Sequence, residues 1–370
     1  MPSGDVIHEE DEQRFLKITS TALSQEQQNQ ITDPPDTHPR QTEVLAVHWH
    51  PESVPMALID QRLKHLYPNC TNELIIPTQH NMLTSRQGYT GVEVDCYSRG
   101  FQRKVQLLLH FADEKRSKAG VLENALNHTF KYRSSQLFDY IRTIVKPVLP
   151  HIESAAQETG AEEELIFFVR EHVRKIETLI DKYYTSLAPA MIKNKLIRNY
   201  FDCMRPEYGD KFINHLQFYI KAVKEKVKAK FPLEYFYRTS EIIEEARAIG
   251  AGIVIPHPEQ FWPILLAEYD VDGYEVWNPQ SLEYTKFLLQ VVIDKNRRAG
   301  FSQRQILIFM GDDTHMDEKT RPGEEQDQVK SLREIGNQPL WQDPGIQKKL
   351  IVAGISRAQV IDDYRARLDG

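Results

Sequence analysis

The chain is 370 residues long, 41% hydrophobic and 27% charged, with a formal net charge of −7 at pH 7. This length can bury a large core, and the charge supplies no global attraction to nucleic acid or to an anionic membrane. Three scattered cysteines (Cys70, Cys96, Cys203), an acidic start and no apolar run near the ~20 residues of a membrane helix point to a cytoplasmic protein with reduced thiols and no membrane contact.

Residues 1–41 are rich in Gln, Asp, Glu, Pro and Thr. They hold too little apolar side chain to offset their ordering entropy and are expected to form a flexible tail. Four short apolar runs follow: Val44–Val47, Leu74–Ile76, Gly91–Val92 and Val105–Leu109. Bounded by Gly, Pro and polar residues, they read as buried strands. Helical spacing then takes over at Leu137–Ile144, Glu162–Tyr184, Met191–Phe201 and Lys211–Lys230. In the second of these, Ile166, Phe167, Val169, Val173, Ile176 and Ile180 form a stripe expected to face a core. A helix over Ser240–Ile249, stopped by Gly250, precedes further strands at Gly252–Ile255, Gly273–Trp277 and Ile306–Met310. The remainder, 317–370, is expected to pack on the strand domain, helical from Arg357 to Leu368. The organisation is therefore α/β: a domain split into 42–112 and 236–316, with a large helical insertion over 113–235 that far exceeds an ordinary loop. The insertion would be a lid, a specificity element or a dimerisation surface, and a homo-oligomer is left open.

The strand candidates run into residues that bind metals. Val44–Val47 leads to His48 and His50, Leu74–Ile76 to His80, and Gly91–Val92 to Glu93. Val105–Leu109 ends at His110, Gly252–Ile255 at His257, and Ile306–Met310 at Asp313 and His315. In barrels of parallel strands, residues just past the strand C-termini converge on one rim and do the chemistry. His48 and His50, two apart on extended backbone, share a face and can grip one cation, as can Asp313 and His315. Pro258 keeps His257 out of helical geometry, so it is expected to stay extended. Glu93 could bridge two ions at the ~4 Å separation of two-metal hydrolysis. Imidazole with carboxylate suits Zn, Fe or Mn. Singly, each residue has a plainer reading: an incidental His-x-His, a solvent-facing Glu93, a hydrogen-bonded core His110. Six of the 13 histidines share this one structural position, however, and that pattern points to a metallohydrolase.

The order His-x-His, Thr-x-His-Asn, Gly-x-Glu, a His ending an apolar strand, His-Pro, then Gly-x-Asp-x-His resembles the PHP (polymerase and histidinol phosphatase) domain. The motifs cover residues 44–111 and about 240–316, and the strands around Pro256-His257-Pro258 and Gly273–Asn278 look like the family's own. The resemblance implies a distorted (β/α)7 TIM-like barrel, two to three divalent metal ions and phosphoesterase activity. It implies that His48, His50, Glu93 and Asp313 hold one ion. Glu93 would bridge to a second ion held by His110 and His257, while His80 and His315 serve a third. Two departures stand out. Gln79 replaces the usual Asp, and Pro51–Met56 lacks the Asp or His that completes the third site.

The expected reaction is hydrolysis of a phosphate ester, on a small-molecule substrate, by a hydroxide bridging two metals. Glu93, His80 and His315 are the expected catalytic residues, either histidine supplying a proton to the leaving oxygen. Arg321 could clamp a phosphate but reads more simply as a loop arginine. Glu275 and Asn278 could support histidines or merely pack or cap. Two other classes compete. An amidohydrolase also begins with His-x-His, but no lysine sits at a strand end here. An eroded metal-binding scaffold, its insertion binding a partner, would explain Gln79. Nucleic acid is less favoured as substrate, because Lys221, Lys224, Lys226, Lys228 and Lys230 carry little aromatic surface between them.

Overall fold

The computed structural model describes residues 6–299, 304–321, 323 and 326–370, and the chain falls into two units. A helical unit comprises the residues up to Ala22 together with Lys131–Pro232; a mixed α/β unit comprises Leu23–Phe130 with Leu233–Gly370.

The helical unit is built from Glu9–Thr19, Tyr132–Val145, Leu149–Thr159, Glu163–Tyr183, Lys195–Asp202 and Asp210–Ala229, with shorter turns between them. The long helix Glu163–Tyr183 buries Leu165, Val169, Val173, Ile176, Leu179 and Ile180, the three- and four-residue spacing of one helix face. Phe167, placed in that stripe by the sequence, is instead 55% exposed. It lies two residues from Val169, about 200° around the helix. The lysines of Asp210–Ala229 flank its buried stripe: Lys226 pairs with Glu158 at 2.6 Å and Lys228 with Glu225 at 3.6 Å.

Residues 6–41, the described part of the expected flexible tail 1–41, depart from that expectation. They carry helices Glu9–Thr19 and Gln25–Thr32, each pinned by one fully buried apolar side chain, Phe15 and Ile31. Asp11 adds a buried anchor, accepting from Lys175 Nζ and Tyr200 Oη at 2.8 Å each. Composition averages over such single anchors and so misses them.

The strands of the α/β unit are β1 (Glu43–Ala46), β2 (Trp49–His50), β3 (Asn72–Ile75), β4 (Thr84–Arg86), β5 (Tyr89–Ser98), β6 (Arg103–Ala112), β7 (Gly252–Ile255), β8 (Gly273–Trp277), β9 (Leu307–Met310) and β10 (Thr314–His315). β4 to β9 form one sheet in sequence order; β1 pairs with β3, and β2 with β10, both in parallel. β7, β8 and β9 are parallel, but β4, β5, β6 and β7 alternate in direction. Backbone bonds continue past the strand ends. Asp313 N donates to His48 O at 3.0 Å, Thr78 N to Trp49 O at 2.9 Å, and Glu93 N to Gln79 O at 3.1 Å.

The helices Gly120–Phe130, Thr239–Ala248, Thr285–Ala299 and Arg357–Asp369 cover the sheet, sharing a core with Leu107, Leu109, Ile253, Ile255 and Phe309. Gly91 lets β5 pass close to the preceding loop, since a Cβ there would stand 2.3 Å from Pro77 O. Among the described residues, no helix is long and apolar enough to cross a membrane.

Candidate metal centre

Seven of the eight ligand residues expected from the sequence meet where β2, β5 and β10 converge with the loops after β1, β3, β7 and β9. Glu93 is at the centre. Its Oε1 faces His48 Nε2 at 3.9 Å and His257 Nε2 at 3.7 Å, while Oε2 faces His50 Nε2 at 3.6 Å and His80 Nδ1 at 2.5 Å. Asp313 is a second hub. Its Oδ1 lies 3.6 Å from His48, 3.4 Å from His50 and 3.5 Å from His315, each through Nε2. Among the described residues, three groups of donors draw within 4.8 Å of one another: His50, His80 and His315; His48, His50 and Asp313; and His48, Glu93 and His257. The first and last share no residue.

The polar atoms here are poorly satisfied by the protein alone. His50 Nδ1 and Nε2, His80 Nδ1 and Glu93 Oε2 are buried without a hydrogen-bond partner, although His80 and Glu93 come within 2.5 Å. Buried polar groups are ordinarily paired, and each unpaired one is costly. Carboxylate oxygens and imidazole nitrogens turned on one another at 3.4–3.9 Å fit the coordination of divalent cations between them.

The eighth residue, His110, corrects the expectation. Its Nε2 meets Val47 O at 2.9 Å and its Nδ1 meets Tyr364 Oη at 2.7 Å, so both nitrogens are engaged inside the protein. The cause is strand direction. β6 runs antiparallel to β7, pairing His110 with Gly252 at the start of β7, whereas His257 follows the end of β7. The end of β6 therefore lies level with the start of β7, away from His257. His257 itself is not extended: at φ 30° and ψ 57° it is left-handed, though Pro258 does keep it out of the right-handed helix. Asp313 is also left-handed, at φ 48°. Glu52 (φ 51°) and Asn81 (φ 52°) share this conformation beside the cluster. Non-glycine residues pay for such backbone, and it concentrates at functional sites.

The surrounding residues aim the ligands. Glu275 on β8 holds His48 Nδ1 at 2.5 Å through Oε1 and accepts the His257 N–H at 2.8 Å through Oε2. This is the carboxylate–histidine support typical of metal ligands, and it leaves His48 only Nε2 to offer. Gly311 makes room for it; a Cβ there would fall 1.9 Å from Glu275 Oε1. Glu52 holds His315 Nδ1 at 3.1 Å and accepts the Asp317 N–H at 2.9 Å. Sequence reasoning passed over Glu52 because it sought a ligand of the usual type and place after His50. Asn81 holds Asp95 twice, at 2.8 Å each, and Lys104 pairs with the same carboxylate at 2.6 Å. Asn278 caps a turn, accepting from Gln280 N at 3.0 Å. Arg321 pairs with Glu318 at 3.3 Å, the plainer of its two readings.

Charge follows the same geometry. Burial opposes ionisation of Glu93 and Asp313, but the facing histidines hold both carboxyls well below their usual range. Burial also acts against the His48 cation, yet Glu275, Asp313 and Glu93 lift it to about 10. His315 rises to about 9 against its burial, through Asp313 and Glu52. Burial and the neighbouring His80 push His50 down to about 3.

No family model matches the chain, and no curated protein does. A solved structure from Bifidobacterium adolescentis, provisionally described as a metal-dependent phosphoesterase, matches at 13% identity and a TM-score of 0.38. The match covers 88% of this chain and 99% of that one. A likeness this faint assigns neither fold nor function.

Proposed function

We propose that this protein is a metal-dependent phosphoesterase of the PHP kind, holding two divalent cations on a distorted barrel rim and hydrolysing a small phosphate ester. The observation that carries the reading is the division of Glu93, one oxygen toward His48 and His257 and the other toward His50 and His80. A carboxylate facing both ways could bridge two cations at the ~4 Å spacing of two-metal hydrolysis. The ligands then divide differently from the family pattern. His48 and His257 would hold one ion with Glu93 Oε1; His50, His80 and His315 would hold the other with Glu93 Oε2. Asp313 Oδ1 lies between the two groups. His110 has no part in either.

When bound, the cations would lower the pKa of water and offset charge on the phosphoryl oxygens. The protein's own part is to fix the donors. Glu275 keeps His48 in one tautomer, Glu52 orients His315, and the strained backbone at His257 and Asp313 turns those side chains inward. His80 and His315, with 21% and 25% of their side chains exposed, are the ligand-type histidines most open to solvent. Either of them, where it does not itself hold a cation, would donate a proton to a leaving oxygen. The helical unit would serve substrate choice or self-association.

Metal analysis together with turnover of a generic phosphomonoester tests the proposal. Wild type should carry about two ions per chain and hydrolyse the ester. Glu93→Gln should lose metal and at least about a hundredfold in turnover. A metal-loaded wild type that hydrolyses cyclic amides and no phosphate ester would return the amidohydrolase reading, and one that hydrolyses neither would leave a scaffold.

A further inference from the structure

The segment beyond Lys330, expected only to pack on the strand domain, reaches the candidate metal centre through Arg333. Arg333 Nη1 donates to Asp313 Oδ2 at 2.9 Å and to Asp313 O at 3.1 Å, and its side chain is only 3% exposed. Gln280 closes the other side. With its amide oxygen toward the guanidinium it accepts from Nη1 at 3.2 Å and Nη2 at 2.7 Å; the reverse orientation would set donor against donor. The segment is itself clamped. Neighbouring Glu334 accepts from Arg62 Nε at 2.9 Å and pairs with Lys319 at 2.6 Å, all three residues being buried. Gly336 N donates to Asp312 Oδ2 at 3.0 Å. One short stretch thus grips both carboxylates of the Asp312-Asp313 pair.

We infer that Arg333 is a positioning residue that keeps Asp313 a one-oxygen ligand and thereby sets which metals the centre prefers. Asp313 presents Oδ1 to three imidazoles, while Oδ2 is committed to the guanidinium. A carboxylate with one oxygen withheld cannot chelate through both. That favours ions content with few ligands, such as Zn²⁺, over those that seek six or more, mostly oxygen, such as Mn²⁺. One guanidinium nitrogen, Nη1, makes both bonds to Asp313 while Nη2 is held by Gln280, so the planar group is pinned from two sides as a lysine ammonium could not be. The inference rests on the metal-centre reading proposed above.

The test measures Kd for Zn²⁺ and for Mn²⁺ by chelator competition on the full chain, for wild type, Arg333→Met and Arg333→Lys. Absolute affinity responds to two opposed changes, lost orientation and removal of a nearby positive charge, so the ratio of the two constants is read. Wild type should prefer Zn²⁺ strongly, and Arg333→Met should narrow that preference by about tenfold, within the range for supporting residues of metal ligands. Arg333→Lys keeps the charge without the planar group and should fall between them; it decides the matter if Arg333→Met does not fold. A ratio unchanged in both variants, with both constants shifted equally or not at all, overturns the inference. A wild type that binds neither ion overturns the metal-centre reading instead.

Discussion

The two units spend their buried interior in opposite ways. In the helical unit the interior is mostly apolar, with Ile176, Val173, Ile213 and Leu216 each fully buried and Asp11 held by two donors. In the α/β unit, His48, His50 and Glu93 are at most 1% exposed, and several of their polar atoms lack partners. Backbone strain divides the same way. The described non-glycine residues with positive φ are Glu52, Asn81, Gln87, Gln102, His257, Glu268 and Asp313, all in the α/β unit. One unit is built to be stable, and the other spends stability on holding like-shaped donors together. Chemistry is expected only where the interior is left electrostatically incomplete.

Substitutions can break this contrast. The largest effect on stability should come from Ile176→Ala, which empties a fully buried site and should cost about 2–5 kcal/mol. Hydrogen exchange along Glu163–Tyr183 should report that loss while metal affinity stays unchanged; a parallel loss of metal would couple the units. Next comes Gly311→Ala, which pushes a methyl into Glu275. Metal affinity should fall by about 10- to 100-fold by isothermal titration, as when support for a ligating histidine is removed. An unaffected affinity would strip Glu275 of its role.

A pH titration of the metal-free protein sharpens the contrast further. His48 and His315, raised to about 10 and about 9, contribute stability that is complete below the unfolded value of 6.5 and is lost as pH climbs toward those values. His50 and His110, both depressed to about 3, act in the other direction: unfolding gains protons as pH drops below 6.5, so stability falls. Asp312, raised by burial to about 7, opposes this acid limb, but two histidines outweigh it. Thermal unfolding should therefore peak near pH 6.5, and a profile rising steadily to pH 9 would contradict the charge assignment. Smallest of all, Phe167→Ala, on an exposed helix face, should change stability by no more than about 0.5 kcal/mol.

Much of this was legible in the sequence, for reasons that particular residues show. Helix Glu163–Tyr183 was visible because 21 residues of regular spacing average out local noise. The clustered histidines and carboxylates were visible because each ends a short apolar run. His110 misled because strand direction is a tertiary property: an apolar run ending in His looks the same whether the strand runs with or against its neighbour. Glu52 and Arg333 escaped assignment, and Glu275 was left between two readings, for a related reason. Each acts through a contact more than 200 residues away in the chain or, for Arg333, from a segment with no periodicity at all. Phe15 and Ile31 escaped because a single buried side chain can hold a helix that composition would leave loose.

Diffraction from metal-loaded crystals at the absorption edge of the bound ion addresses the central claim most directly. Two anomalous peaks about 4 Å apart, one against His48 and His257 and the other against His50, His80 and His315, with Glu93 between them, are the expected result. Peaks elsewhere, or one ligated by His110, would contradict it.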